Sequence, residues 1–145
     1  MATADLEPVT VEARLPWFRE FDPAKRPLWV HADAGETLPR AWLSMRSFYG
    51  RPAYHATAEV AVYTATGDQR QGRARALLGH AIDAAPGLGL RTLLAFVFRH
   101  NVPSVTLFRA QGFAEWGLLP RVAELDGVEH DLAILGLRLP AGTAP

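Results

Sequence analysis

With 145 residues, 49% of them apolar and 21% charged, the chain can build one buried core, and intrinsic disorder is excluded. Its 15 Lys and Arg balance 15 Asp and Glu, so no surplus positive charge favours nucleic acid or a membrane surface. No cysteine occurs, which removes disulfides, thiolate catalysis and Cys-type zinc sites. With no uncharged apolar run of transmembrane length, the expectation is a single domain over 1–145 in the cytoplasm.

In chain order, Thr10 can cap a short helix over 10–20, with Val11, Leu15 and Phe18 on one side and Pro16 disturbing it. Leu28, Trp29 and Val30 read as a strand, 33–36 as a tight turn, and 40–45 as the antiparallel partner. A loop over 46–52 follows. The next strand begins near His55 and carries Val60, Val62 and Tyr63, residues that suit a half-buried pleated backbone, before Thr66, Gly67 and Asp68 end it. From Gly72 the apolar residues Ala74, Leu77, Leu78, Ala81, Ile82 and Ala85 share one helical face, and Pro86 and Gly87 stop the helix. The apolar run 90–98 suits a strand buried on both faces. A short helix over 101–111 closes at Gly112, and two last strands, 113–119 and 131–139, flank a turn at Asp126 and Gly127. The order predicts an α/β sandwich: a mixed, mostly antiparallel central sheet flanked by helices.

The stretch 59–75 organises the rest. A strand that feeds a glycine-bearing turn and then a helix leaves backbone N–H groups unpaired at the helix start, with the positive end of the helix dipole behind them. Such a place suits a phosphate. GxxxxGK[ST] is absent, and so is GxGxxG. What stands there is Gln69, Arg70, Gln71, Gly72, Arg73 and Ala74, of the form Q/R-x-x-G-x-G/A. A plain glycine-initiated helix with solvated arginines is the other reading of these six residues.

The hexapeptide resembles the pyrophosphate motif of the GCN5-related N-acetyltransferase (GNAT) family, whose co-substrate is acetyl-CoA. Two further features agree. The order of elements is similar, with the sheet expected to split between the strands at 59–64 and 90–98. Asn101, Val102, Pro103 and Ser104 are followed by Gln111, Gly112 and Phe113. Within the family the chain looks most like the phosphinothricin and methionine sulfoximine acetyltransferases. The features behind that are the helix ending in Trp17 and Phe18, the Glu59, Val62, Tyr63 strand, and His130 with Asp131 before the last strand.

The resemblance implies that the backbone of Val62, Tyr63 and Thr64 holds the pantetheine arm. It implies that Arg70, Gln71, Gly72, Arg73, Ala74 and Arg75 hold the pyrophosphate, and that Asn101 contacts the cofactor rather than serving only as a helix cap. It also implies a homodimer. Two departures stand out. Family members usually begin with another strand and helix, so the chain is expected to be short at its N-terminus, with activity depending on what covers that side of the groove. Phe108 stands where many members carry a Tyr that protonates the departing thiolate.

A primary amine is mostly protonated at neutral pH and needs a base before it can attack a thioester. Glu59, a carboxylate against an apolar strand, is the first candidate, and a solvated strand-end charge is its other reading. His130, which titrates in the useful range, is the second, against a plain surface histidine next to a turn. A backbone N–H near Val62 would meet the oxyanion. In the loop 46–54, Arg46 and Arg51 could pair with a carboxylate or phosphinate, while Phe48, Tyr49 and Tyr54 wall the pocket. The five histidines show no ligand spacing on a shared helical face, so no metal is expected. The expected activity is transfer of an acetyl group from acetyl-CoA to the amine of a small amino-acid-like substrate in a ternary complex. Another metabolite or protein amine is the alternative acceptor, and a CoA-binding or self-associating chain without turnover is the alternative class.

Overall fold

The computed structural model describes residues 26–31, 40–64 and 72–140. The expected helix at 10–20 and the turns at 33–36 and 66–68 lie outside them.

Six strands form one sheet in the order β1-β2-β3-β4-β6-β5. They are β1 (Leu28–His31), β2 (Ala41–Ser47), β3 (Thr57–Thr64), β4 (Thr92–Phe98), β5 (Ala114–Leu125) and β6 (Val128–Arg138). Every pairing is antiparallel except β3 with β4, which is parallel. Two helices, α1 (Arg73–Ala84) and α2 (Val102–Ala110), flank β4 in sequence. This is the expected mixed, mostly antiparallel sheet with helices against it.

Register assigns the side chains to two faces, because residues directly opposite one another across a ladder share a face. One face carries Leu43 and Met45 of β2, Val60 and Val62 of β3, Leu93, Ala95 and Val97 of β4, and Ala133 and Leu135 of β6. Helix α1 lays Leu77, Leu78 and Ala81 into that face, and Phe108 of α2 joins the same buried cluster. The opposite face carries Arg46, Glu59, Ala61, Tyr63, Phe96, Phe98, His130 and Leu132. β4 is buried at nearly every position, as the unbroken apolar run 90–98 requires.

Local chemistry sets the element ends. Gly72 caps α1 at φ 76°, a left-handed conformation that glycine adopts without a Cβ penalty. The α-helix stops at Ala84, just before Pro86 and Gly87, as expected. Pro86 is accommodated at the start of a 3-10 turn, Ala85–Leu88, and Gly89 at φ 80° ends it. At α2 the Asn101 Oδ1 accepts the Ser104 N–H at 3.4 Å, a long cap.

Strand boundaries differ from expectation at β2, β5 and β6. β2 continues through Arg46 and Ser47 because both pair with β3, at Glu59 and Ala58, so Arg46 belongs to a strand and not to the loop. β5 and β6 reach the Asp126, Gly127 turn, where both residues have positive φ, 51° and 77°. Such a turn matches the twist of two long hairpin strands.

Candidate active site

β3 and β4 pair only at Thr57–Thr92, Ala58–Leu93 and Glu59–Leu94. Beyond Glu59 the two parallel strands diverge, although β3 runs on to Thr64 and β4 to Phe98. A cleft of about 400 Å³ fills the gap. Its lining draws on both faces of the sheet: Val60, Val62 and Val97 from the α1 side, and Glu59, Ala61, Tyr63, Phe96 and Phe98 from the other. The cleft therefore passes through the sheet. Asn101, Ser104 and Phe108 of α2 border it, as do Val122, Ala123 and Leu132 from the β5–β6 hairpin.

Among the described residues, β4 pairs with the β3 edge facing this gap only as far as Glu59, and β2 takes the other edge. Peptide groups at an open strand edge seek hydrogen bonds, and an extended amide-bearing chain can supply them as an added strand would. α1 begins at Gly72, where a Cβ would meet nothing within 4 Å. A helix start, with the positive end of the dipole behind its first N–H groups, is the electrostatic setting for a phosphate.

Glu59 is the half-buried carboxylate of the cleft. Burial raises its pKa above the ordinary carboxylate value, and the Arg46 guanidinium on the neighbouring strand opposes the rise. His130 lies on the same face but is not among the lining residues. It stacks on His100 at 3.9 Å between ring centroids, and His100 stacks on Phe98 at 5.7 Å. Burial, then the charge of His130, lowers the His100 pKa.

Of the residues assigned to the cofactor, Val62, Tyr63 and Asn101 line the cleft. Thr64 is the last residue of β3, past the lining. Ala74 and Arg75 stand in the first turn of α1; Arg75 is exposed, whereas Arg73 is buried at 9% exposure. Arg70 and Gln71 lie outside the described residues. Phe48 and Tyr54 come together with Tyr49 as a ring cluster, Phe48 to Tyr54 at 5.3 Å and Phe48 to Tyr49 at 4.4 Å, and none of the three lines the cleft. Sequence reasoning missed Phe96, Phe98, Val122, Ala123 and Leu132. Phe96 and Phe98 could be found from the alternation within the buried run; Val122 and Ala123 sit after a strand irregularity that no periodicity announces. Among the described residues, no cluster of three or more His, Asp or Glu is placed to hold a metal.

Three comparisons bear on this arrangement. The model of the acetyltransferase (GNAT) family matches residues 3–113. YwnH of Bacillus subtilis (strain 168), whose name provisionally assigns it phosphinothricin acetyltransferase activity, is 50% identical over 139 residues, covering 96% of this chain and 84% of that protein. An L-methionine sulfoximine/L-methionine sulfone acetyltransferase of Pseudomonas paraeruginosa (strain DSM 24068 / PA7) is 32% identical over 141 residues, covering 95% of this chain and 80% of that protein. The solved structure of a GNAT superfamily phosphinothricin acetyltransferase from Sinorhizobium meliloti, in complex with acetyl-CoA, superposes with a TM-score of 0.89 at 25% identity, covering 99% of this chain and 77% of that one. On the family match and these relatives together, the chain belongs to the acetyltransferase (GNAT) family.

Proposed function

We propose that the chain transfers an acetyl group from acetyl-CoA to the primary amine of a small amino-acid-like acceptor of the phosphinothricin or methionine sulfoximine type. The observation that carries this reading is the cleft where the β3–β4 ladder ends at Glu59, with that half-buried carboxylate on its wall. The names of the relatives support the acceptor class.

Acetyl-CoA, when bound, supplies an activated acetyl thioester. The chain's residues fit it. In this reading the β3 backbone from Val62 to Thr64 holds the pantetheine arm, Val60, Val62 and Val97 give that arm an apolar wall, and the start of α1 receives the pyrophosphate. In this reading Arg70 to Arg75 supply its charge partners, and the Asn101 amide adds a contact beyond its cap.

Glu59 takes the proton from the acceptor's ammonium group, directly or through water. A carboxyl with a raised pKa is a stronger base than an ordinary carboxylate, so burial serves the step. A backbone N–H of β3 near Val62 faces the carbonyl oxygen as negative charge grows on it. Phe108 borders the cleft and has no proton to give, so water protonates the leaving thiolate. Arg46 stands across the ladder from Glu59 on the same face, and in this reading it meets the acceptor's carboxylate. Phe48 and Tyr54 then act as an outer wall, and His130 as the alternative base. The family resemblance further implies a cytoplasmic homodimer. Exposed apolar side chains on the hairpin, Trp116, Leu119, Val122 and Val128, support self-association, and sedimentation at twice 15.9 kDa is the expected result.

The direct test is thiol release from acetyl-CoA with phosphinothricin, L-methionine sulfoximine and a panel of unrelated amines. Saturable release with the first two supports the reading. Release only with other amines would keep the chemistry and replace the acceptor.

A further inference from the structure

The β5–β6 ladder breaks at one place. Leu119 pairs with Leu132 and Ala123 with His130, so Pro120, Arg121 and Val122 stand where β6 offers Asp131 alone. A bulge of this size bends the strand and redirects the side chains beyond it. Its first two residues cannot pair normally. Pro120 has no N–H, and Arg121 is a non-glycine residue at φ 51°. The Arg121 N–H, lost to the ladder, donates instead to Asp131 Oδ1 at 2.9 Å. The Asp131 backbone carbonyl in turn accepts the Arg99 N–H at 3.0 Å, just past the end of β4. One residue therefore joins the end of β4 to the bulge of β5.

The two residues that follow Arg121, Val122 and Ala123, are the part of β5 that lines the cleft. Ala123 shares its sheet face with His130 and Leu132, which is the face of Glu59, Phe96 and Phe98. Without the bulge the ladder would continue regularly from the Leu119–Leu132 pair and set Arg121, not Ala123, opposite His130.

We infer that Asp131 is a positioning residue for the acceptor: its carboxylate holds the 120–122 bulge in the conformation that sets Val122 and Ala123 as the acceptor wall. The inference rests on the reading of the Glu59 side as the acceptor side. It touches neither the α2 side of the cleft nor the start of α1, so it separates the two substrates.

The test uses the full chain with acetyl-CoA and L-methionine sulfoximine. Asp131→Ala is expected to raise the KM for L-methionine sulfoximine about fivefold, the size of one net hydrogen bond, with the KM for acetyl-CoA unchanged. Asp131→Asn, whose carboxamide oxygen still accepts the Arg121 N–H, keeps the parent KM. Adding Arg121→Gly to Asp131→Ala restores it, because glycine holds a left-handed φ without help. Amide hydrogen exchange at Arg121 should quicken in Asp131→Ala and not in Asp131→Asn, independently of turnover. Equal rises in both KM values, an unmoved acceptor KM, or an Asn variant as impaired as Ala would overturn the inference. Should Asp131→Ala not fold, the double variant carries the same test: a parent-like acceptor KM supports the inference and a raised one overturns it. Glu59→Gln run in parallel separates the two levels. A slow Glu59→Gln with an unmoved Asp131→Ala sinks only the role of Asp131, whereas a fully active Glu59→Gln sinks the reading of that side of the cleft.

Discussion

Arg46 of β2 stands directly across the antiparallel ladder from Glu59 of β3, at the last position where β3 still pairs with β4. The carboxylate at the point of divergence thus faces a guanidinium on one flank and the opening cleft on the other. Burial raises its pKa and Arg46 opposes that rise, so the two effects together set its proton affinity.

Removing the base should slow chemistry without harming the fold. Glu59→Gln is expected to lower kcat by about 100-fold or more, the range for a lost general base. Because the folded-state pKa is raised, the fold favours the neutral carboxyl. That stabilising preference is complete below the unfolded-state value and is lost as pH rises through the folded one. At neutral pH the carboxylate is therefore a cost, and Glu59→Gln should melt at the same temperature as the parent or higher. A thermal scan beside the kinetic assay checks both halves.

Arg46→Ala separates binding from tuning. Loss of a charge-assisted contact should raise the acceptor KM by about tenfold or more. Loss of the opposing charge should let the Glu59 pKa rise further, moving the acidic limb of the kcat/KM profile to higher pH. An acidic limb that moves to lower pH would contradict the electrostatic coupling.

Phe108 ties the cleft to the core. It is 3% exposed and packs edge-on against Phe113 at 5.0 Å. Phe108→Ala should cost about 3–5 kcal/mol in chemical denaturation, the range for a deleted core phenyl ring.

Gly136 tests the outer sheet. A Cβ there would collide with the Trp116 indole, which lies on the glycine. Gly136→Ala should displace the ring, cost about 1–3 kcal/mol as overpacking does, and change the tryptophan fluorescence.

Much of the fold was legible in the sequence because its signals are local. The period of Leu77, Leu78 and Ala81 marks α1, the unbroken run in β4 marks a strand buried on both sides, and Gly72 and Asn101 stand at the starts of the two expected helices. The strand at Glu59, Val62 and Tyr63 carried the cleft with it. What escaped depends on pairing. The residues 120–125 and 128–130 show no apolar alternation, being largely exposed on a hairpin at the sheet edge, so only their partners reveal them as strand. The bulge at 120–122 is invisible for the same reason, and with it the place of Val122 and Ala123 in the site. Arg46 was assigned to a loop because Arg46, Ser47, Phe48 and Tyr49 read as irregular, yet the ladder with β3 extends the strand through two of them.

The central claim is that the gap between β3 and β4 receives acetyl-CoA, and calorimetric titration of acetyl-CoA into the chain tests it without any acceptor. The account predicts saturable binding in the micromolar range. It also predicts loss of that binding in a folded Gly72→Glu variant, which puts a carboxylate and a strained left-handed residue at the start of α1. A folded parent chain that gives no binding heat at several temperatures, or a Gly72→Glu variant that binds as well as the parent, would contradict it.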